Sequence, residues 1–112
     1  TRRSSDLHAY LVTVNDDGTP HVTSVNVRVE RDALVVGTGR RTRANLGDRP
    51  EVSLLWPPAT DPAYSLIVDV TARLADGVDE AVLAPRAAIL HRVAGATGDG
   101  PNCVPLDGTA SA

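Results

Sequence analysis

The segment Tyr64–Leu74 restricts the fold of this chain more than any other part of its sequence. Apolar side chains recur there at every second position, and most of the intervening positions are polar. A period of two places successive side chains on opposite faces of a β-strand. The pattern therefore predicts one long strand with an apolar face, formed by Leu66, Val68, Val70, Ala72 and Leu74.

Further strands are predicted on both sides of this one, at residues 9–14, 21–29, 33–38, 51–56 and 81–93. The dipeptide Asp17-Gly18 lies between the first two runs, and Asp-Gly between apolar runs is typical of a hairpin turn. In the second run Val25, Val27 and Val29 alternate with polar residues, so we expect these three valines on the buried face of a half-buried strand.

Residues 40–48 form the predicted helix. The segment contains Ala44 and Leu46 and is followed by Pro50, which ends a helix. Helix formers also occur at 81–93, but Pro85 would break a helix in its interior, so we predict a bulged strand there. Six strands and one short helix favour an all-β fold with small α content. A small antiparallel barrel is the expected arrangement, since closure removes exposed strand edges.

A length of 112 residues fits a single domain with one modest core. Phe and Met are absent, so the core has to consist of Val, Leu, Ile and Ala, a composition that favours strands. From residue 94 onward the chain contains few apolar side chains that a core could bury. We therefore expect a barrel domain at 1–93 and a tail at 94–112 that is loosely ordered unless a partner covers it.

The formal net charge of −3 argues against a nucleic-acid-binding function, because such proteins neutralise many phosphates at once. No apolar run approaches the roughly 20 residues of a membrane-spanning helix, and no signal-peptide pattern opens the chain. These features predict a cytoplasmic protein that binds neither nucleic acid nor membrane. The single cysteine, Cys103, excludes an internal disulfide, and without a basic neighbour in sequence it is expected to be unreactive.

The densest group of polar residues is the run Gly-Thr-Gly-Arg-Arg-Thr-Arg at 37–43, between a predicted strand and the predicted helix. Glycine lets a ligand approach the backbone, helix N-terminal amides point outward, and arginine donates two N–H groups to phosphate oxygens. The run, called the arginine turn below, is therefore either a cradle for a phosphate or a solvated turn. Its spacing matches neither a P-loop nor a dinucleotide-binding fingerprint.

The other residues that carry chemistry are scattered along the chain. The three histidines, His8, His21 and His91, match no metal-ligand spacing, so no metal site is predicted. Asp69 lies on the polar face of its strand, where an ion pair with an arginine is the ordinary expectation. Trp56 is the single tryptophan and is expected to pack across a subunit boundary or against a flat ring system.

Several motifs follow one another in a definite order: Leu11-Val12-Thr13-Val14, Asp17-Gly18, Pro20-His21-Val22, Val35-Val36-Gly37-Thr38-Gly39, Arg41-Thr42-Arg43-Ala44-Asn45-Leu46 and Arg49-Pro50-Glu51-Val52-Ser53-Leu54-Leu55. This succession resembles the pyridoxamine 5'-phosphate oxidase-like split β-barrel family. The resemblance extends from about Ala9 to Leu74 and rests on the order of the motifs rather than on any one of them.

The resemblance implies a six-stranded antiparallel split β-barrel that forms a homodimer and binds flavin mononucleotide (FMN), or alternatively coenzyme F-420, in two grooves at the subunit boundary. It places the cofactor phosphate at the arginine turn, where Arg41 matches the family's arginine and Thr42 replaces its lysine, with Arg43 near enough to restore the charge. The remaining cofactor-binding residues that it implies are Asn26, Val27, Val36, Gly37, Thr38, Arg40, Trp56 and Ser65, the last two contributed by the partner subunit.

The activity implied by the resemblance is that of an FMN- or F-420-dependent oxidoreductase acting on a small molecule. The cofactor would supply the hydride chemistry, and the protein would supply position and electrostatics. The tail lacks the Arg/His segment of the true pyridoxamine phosphate oxidases, so oxidation of vitamin B6 is not expected. The alternative is a non-catalytic flavin- or haem-binding protein, in which His21 or His91 would be the axial ligand.

Overall fold

The computed structural model describes residues 8–58, 64–94 and 100–106. Its strands belong to a single curled antiparallel sheet of eight strands, with one helix in the described part of the chain. The predicted all-β fold with one short helix is therefore confirmed. In chain order the elements are β1 (His8–Val14), β2 (Pro20–Asn26), β3 (Arg28–Glu30), β4 (Ala33–Gly37), α1 (Arg40–Asp48), β5 (Glu51–Trp56), β6 (Tyr64–Leu74), β7 (Glu80–Arg92) and β8 (Cys103–Pro105).

The count of strands differs from the six predicted, for two reasons. The predicted strand 21–29 is divided at Val27 into β2, which pairs with β1, and β3, which pairs with β4. Within the predicted loose tail, β8 pairs with residues 89–91 of β7. A strand of three residues is too short for a period of two to be recognised, so the sequence did not predict it.

The order of strands in the sheet is β2-β1-β5-β6-β7-β4-β3, with β8 pairing the side of β7. The first and last strands of this order are consecutive in the chain, and Val27 between them has no exposed surface. The sheet therefore curls into a half-barrel whose two edges are joined through one buried residue.

The core lies on the concave side of this sheet. The predicted apolar face of β6 is confirmed: Val68, Val70 and Ala72 are buried, while Leu66 and Leu74 are partly buried and pack against the same core. Neighbouring strands and the helix complete it, with Ala9, Leu11, Val25, Val27, Val36, Leu46, Val52, Leu54, Ala81 and Leu83.

Two details of the strands depend on local irregularities. The predicted bulge in β7 is confirmed: the partner of Asp69 is Ala87 and that of Val70 is Pro85, so Arg86 is the extra residue. The prediction that Val29 is buried is wrong, because its side chain is 58% exposed. The cause is its position on β3, which ends the sheet and has only β4 as a neighbour.

Candidate functional site

Helix α1 begins at Arg40, within the arginine turn and directly after Gly39. Gly39 is the N-cap residue, and no side chain hydrogen-bonds to the first-turn amides from this position. The first turn also contains no acidic residue. The amide groups at a helix start have no partners within the helix and carry a partial positive charge. The local chain thus leaves donors available at this end of the helix.

The structure separates the three arginines of the turn. Arg40 and Arg43 line a cleft of about 400 Å³, called the helix-start cleft, together with Thr38, Gly39 and Asp79. Arg41 instead lines a cleft of about 350 Å³, called the hairpin cleft, formed with the β1–β2 turn residues Asn15, Asp16 and Asp17. The sequence contained this information, because residues three apart share a helix face and the intervening one points elsewhere.

Arg43 is held by hydrogen bonds to Thr38, which follows β4, and to the segment that connects β6 with β7. Its Nη1 donates to the Thr38 hydroxyl at 3.1 Å and to the carbonyls of Val78 and Glu80 at 3.2 Å each, and its Nη2 donates to the Ala75 carbonyl at 3.3 Å. The three bonds to backbone carbonyls join residues more than 30 positions apart in the chain, at separations of 35, 37 and 32. Arg43 therefore forms a fixed wall of the helix-start cleft, whereas Arg40 is exposed.

The lining of the hairpin cleft contains two carboxylates, Asp16 and Asp17, and one guanidinium, that of Arg41. A hydrogen bond and the charge of Arg49 lower the pKa of Asp16, and bonds from Thr19 lower the pKa of Asp17. Arg41 adds a smaller lowering effect on both carboxyl groups. The hairpin cleft thus offers a phosphate one exposed guanidinium, that of Arg41, beside two carboxylates, of which Asp16 is already paired with Arg49 at 2.8 Å.

Several predicted cofactor-binding residues lie in the core or on the strands around it. The side chains of Val27 and Val36 are 0% and 1% exposed, and Thr42 is 4% exposed. Gly37 is exposed at the end of β4. Asn26 is exposed at the end of β2, directly opposite His8. Of these residues, only Gly37 and Asn26 are exposed to solvent.

Trp56 and Ser65 lie near each other but on opposite faces of the sheet. Trp56 packs against the hydrophobic core and pairs with Leu66. Ser65 pairs with His91 on the other face and lines a cleft of about 450 Å³ there, called the sheet-face cleft. Its other described lining residues are Leu55, Pro58, Ile67, His91, Arg92, Val93 and Ala94.

The polar residues of the neighbouring strands have partners that the sequence did not predict. Asp69 accepts a hydrogen bond from the hydroxyl of Ser53, its cross-strand neighbour, at 2.6 Å. Cys103 is exposed, and β-pairing places it directly opposite His91. Cys103 therefore has a histidine beside it in the structure, although no basic residue adjoins it in the sequence. His21 pairs with Thr13 on the core side, so it and His91 lie on different faces.

Sequence reasoning missed Asn45, which has no exposed surface. Its side-chain amide donates to the Thr13 hydroxyl at 2.9 Å and to Asn15 Oδ1 at 3.0 Å, which fixes α1 to β1 and to the hairpin. A polar residue one position before Leu46, on the buried side of a short helix, was the available signal. By holding α1, Asn45 sets where the helix start and its arginines lie.

The described residues also bear on two classes of site. No helix in the described part of the chain has the length and apolar character needed to cross a lipid bilayer. Among the same residues, no group of three or more histidine, cysteine, aspartate or glutamate side chains is placed to hold a metal ion.

Solved structures with the same fold include two named proteins. An F420 reductase superposes with a TM-score of 0.61 at 22% identity, covering 73% of this chain and 88% of its own. HupZ from Group A Streptococcus superposes with a TM-score of 0.61 at 15% identity, covering 79% of this chain and 96% of its own. At these identities the likeness concerns the fold alone.

Comparison of the sequence identifies relatives at higher identity, although no protein-family model matches the chain. Uncharacterized protein Mb0449c of Mycobacterium bovis is 41% identical over 99 residues, which cover 75% of this chain and 70% of the relative. Uncharacterized protein MT0457 of Mycobacterium tuberculosis matches with the same identity and coverage. The chain therefore belongs to the same protein family as these two mycobacterial proteins.

Proposed function

We propose that this chain is a subunit of a homodimeric oxidoreductase that uses a flavin or deazaflavin cofactor on a small-molecule substrate. The succession of motifs resembles the pyridoxamine 5'-phosphate oxidase-like family, and the fold is similar to that of a protein named F420 reductase. The observation that carries the proposal is the helix-start cleft, because it is a property of this chain's own residues.

The helix-start cleft fits the terminal phosphate of FMN. A methyl group built on Gly39 would meet no atom within 4 Å, so a ligand can approach the backbone there. The uncapped helix start offers amide donors, and Arg40 offers an exposed guanidinium. Two arginines and one aspartate, Asp79, line the cleft, which leaves it with net positive charge.

The cofactor, when bound, supplies hydride transfer. In this proposal Arg40 and the helix-start amides bind its phosphate, and Arg43 keeps the β6–β7 turn in place as the wall of the cleft. Val27 and Val36 are buried as whole residues, backbone included, so this proposal assigns them no contact with the cofactor. Asn26, exposed at the end of β2, is available to hydrogen-bond the ring.

Replacing Arg40 by alanine is expected to weaken FMN binding by about 10- to 150-fold, the effect of losing one charge-assisted contact of roughly 1.5–3 kcal/mol. Riboflavin lacks the phosphate, so its affinity should not change. The measurement is titration of FMN, riboflavin and coenzyme F-420 into the purified protein, followed by absorbance and calorimetry.

Arg41→Ala is the matched control, since it removes the same group from the next residue. The resemblance favoured Arg41 as the phosphate ligand, whereas its place in the hairpin cleft leads us to expect a much smaller effect. If Arg41→Ala alone weakens FMN binding, the phosphate lies on the hairpin side. If none of the three ligands binds, or if the protein instead gives a haem Soret band on titration, the proposed function is wrong.

The homodimer is proposed from a patch on the convex side of the sheet. Val22 is 59% exposed and Val14 is 37% exposed, and Val12 lies directly opposite Val22. We call these three residues the β1–β2 patch. Stable dimers commonly bury about 2,000 Å² or more and are rich in apolar residues. A second copy on this patch would cover it and would supply the second wall that a cofactor groove needs.

Val22→Asp is expected to convert the dimer to monomer at low micromolar concentration, measured by sedimentation velocity, because two like charges would meet without water in the interface. Val29→Asp is the control. Val29 has nearly the same exposure, 58%, but lies on β3 outside the patch, so this variant should remain dimeric. A monomeric wild-type protein, or equal dissociation in both variants, would exclude this interface.

A further inference from the structure

Strand β2 forms one edge of the sheet, and in the described part of the chain it pairs with β1 alone. Its seven residues, Pro-His-Val-Thr-Ser-Val-Asn, include no Asp, Glu, Lys or Arg. The opposite edge, β3, has only three residues and carries the ion pair of Arg28 with Glu30. Sheets protect their edges with short strands and charged side chains, so β2 is the less protected edge.

The hydrogen bonds of the β1–β2 hairpin identify the backbone groups that point away from it. The amide of Asn15 donates to the carbonyl of Thr19 at 2.8 Å, so these two residues form a hydrogen-bonded pair. In an antiparallel ladder such pairs alternate with pairs that are not hydrogen-bonded. The register therefore directs the N–H and C=O groups of positions 21, 23 and 25 toward β1. Those of Val22, Ser24 and Asn26 point outward.

These three residues are exposed, and no backbone bond within the described residues engages their outward groups. Pro20 adds an outward carbonyl and has no N–H. An edge with unpaired donors and acceptors is a template for a further strand. The β2 edge can therefore supply three donors and four acceptors to a neighbouring chain.

We infer that β2 pairs antiparallel with β2 of a second copy of this chain, about a two-fold axis at Thr23. Val22 of each copy then lies opposite Ser24 of the other, and Asn26 lies opposite Pro20. Every outward N–H gains an acceptor in this register, because the residue that lacks an N–H meets Asn26, which donates to its carbonyl. Such a contact is self-complementary and closes at two copies.

This edge contact goes beyond the homodimer proposed above, and it does not depend on the cofactor. The side chain of Thr23 lies on the concave face, because its partner in β1 is the buried Leu11. The β1–β2 patch lies on the convex face. A second copy that covers only the patch therefore leaves the two Thr23 side chains apart, whereas edge pairing places them directly opposite each other.

The test is disulfide cross-linking of Thr23→Cys in a Cys103→Ser background, where the introduced thiol is the only one. At the axis the two copies of position 23 form a pair without hydrogen bonds, with Cα atoms about 4.5 Å apart, a separation that a disulfide spans. We expect mild oxidation to give a covalent dimer on non-reducing gels, and reductant to reverse it.

His21→Cys in the same background is the matched control. His21 is half-buried on the same face of the same strand, but edge pairing places it opposite Val25 of the other copy. The two copies of position 21 are then about 13 Å apart along the strand, too far for a disulfide. This variant should stay uncross-linked.

Ser24→Pro, added to Thr23→Cys, should abolish the cross-link. It removes an outward N–H and leaves the bonds to β1 intact, and proline is tolerated on an edge strand at such a position. If this variant does not fold, amide hydrogen exchange of the wild-type protein decides. The amides of Val22, Ser24 and Asn26 should exchange about 10-fold more slowly once about nine-tenths of the molecules are paired, whereas those of positions 21, 23 and 25 are protected at every concentration.

Three results would overturn the inference. They are the absence of a Thr23→Cys cross-link, equal cross-linking of His21→Cys, and a cross-link that persists with Ser24→Pro. Where exchange decides, rates at positions 22, 24 and 26 that do not depend on protein concentration would also overturn it. The titration of FMN and coenzyme F-420 tests the proposed function separately, so failure of one leaves the other standing.

Discussion

Leu54→Ala is expected to lower the free energy of unfolding by about 2–5 kcal/mol, the usual cost of a cavity in a well-packed core. Leu54 has no exposed surface and lies between Leu11 and Val68 of the adjacent strands. The chain has no Phe or Met to adapt to a void. Small domains are stable by about 5–15 kcal/mol, so this loss is a large fraction of the total.

The measurement is equilibrium denaturation in urea, with Leu55→Ala as the control. Leu55 follows Leu54 on the same strand, but its side chain lies on the convex face and is only partly buried. Its replacement should cost less than half as much. Equal losses in the two variants would mean that the two faces of β5 are not distinguished by burial as described.

Asn45→Ala is expected to destabilise the protein by about 2–3 kcal/mol, because it leaves the buried hydroxyl of Thr13 without its donor and removes the bond to Asn15. A double-mutant cycle with Thr13→Val tests the cause. Once the hydroxyl is gone, replacing Asn45 should cost about 1 kcal/mol less than in the wild type.

Asn15→Ala is the corresponding control at the less buried end of the network, and its cost should be below about 1 kcal/mol. Strictly additive losses at Asn45 and Thr13 would show that the two side chains do not stabilise the fold through each other. In that case the position of α1 would depend on apolar contacts, those of Leu46 among them.

Much of the sheet was predictable from the sequence, because the patterns that determine its strands and turns involve residues adjacent in the chain. The period of two in Tyr64–Leu74 determined which side chains enter the core, and Pro85 indicated the strand irregularity beside which the register shifts. The dipeptide Asp17-Gly18 marked the turn, where Gly18 has a φ of +88° that other residues rarely adopt. Each of these features depends on a few adjacent residues.

The candidate site was less predictable because its partners are distant in the sequence. Nothing near Arg43 indicates that it donates to carbonyls of the β6–β7 turn, and nothing near Arg41 indicates that Asp16 and Asp17 face it. The prediction treated the arginine turn as one cradle. In the structure the arginines of this turn line two different clefts: Arg40 and Arg43 line the helix-start cleft, and Arg41 lines the hairpin cleft.

The continuity of β2 and β3 through Val27 affects how the chain can fold. Many barrels close by pairing their first and last strands, which brings distant residues together and adds loop-closure entropy. In this half-barrel each edge forms by pairing with a strand nearby in sequence, β2 with β1 and β3 with β4. The β1–β2 hairpin and the β3–β4 hairpin are thus joined directly through Val27, which is buried in the core. Covalent connection, rather than a late long-range ladder, holds the two ends of the sheet together.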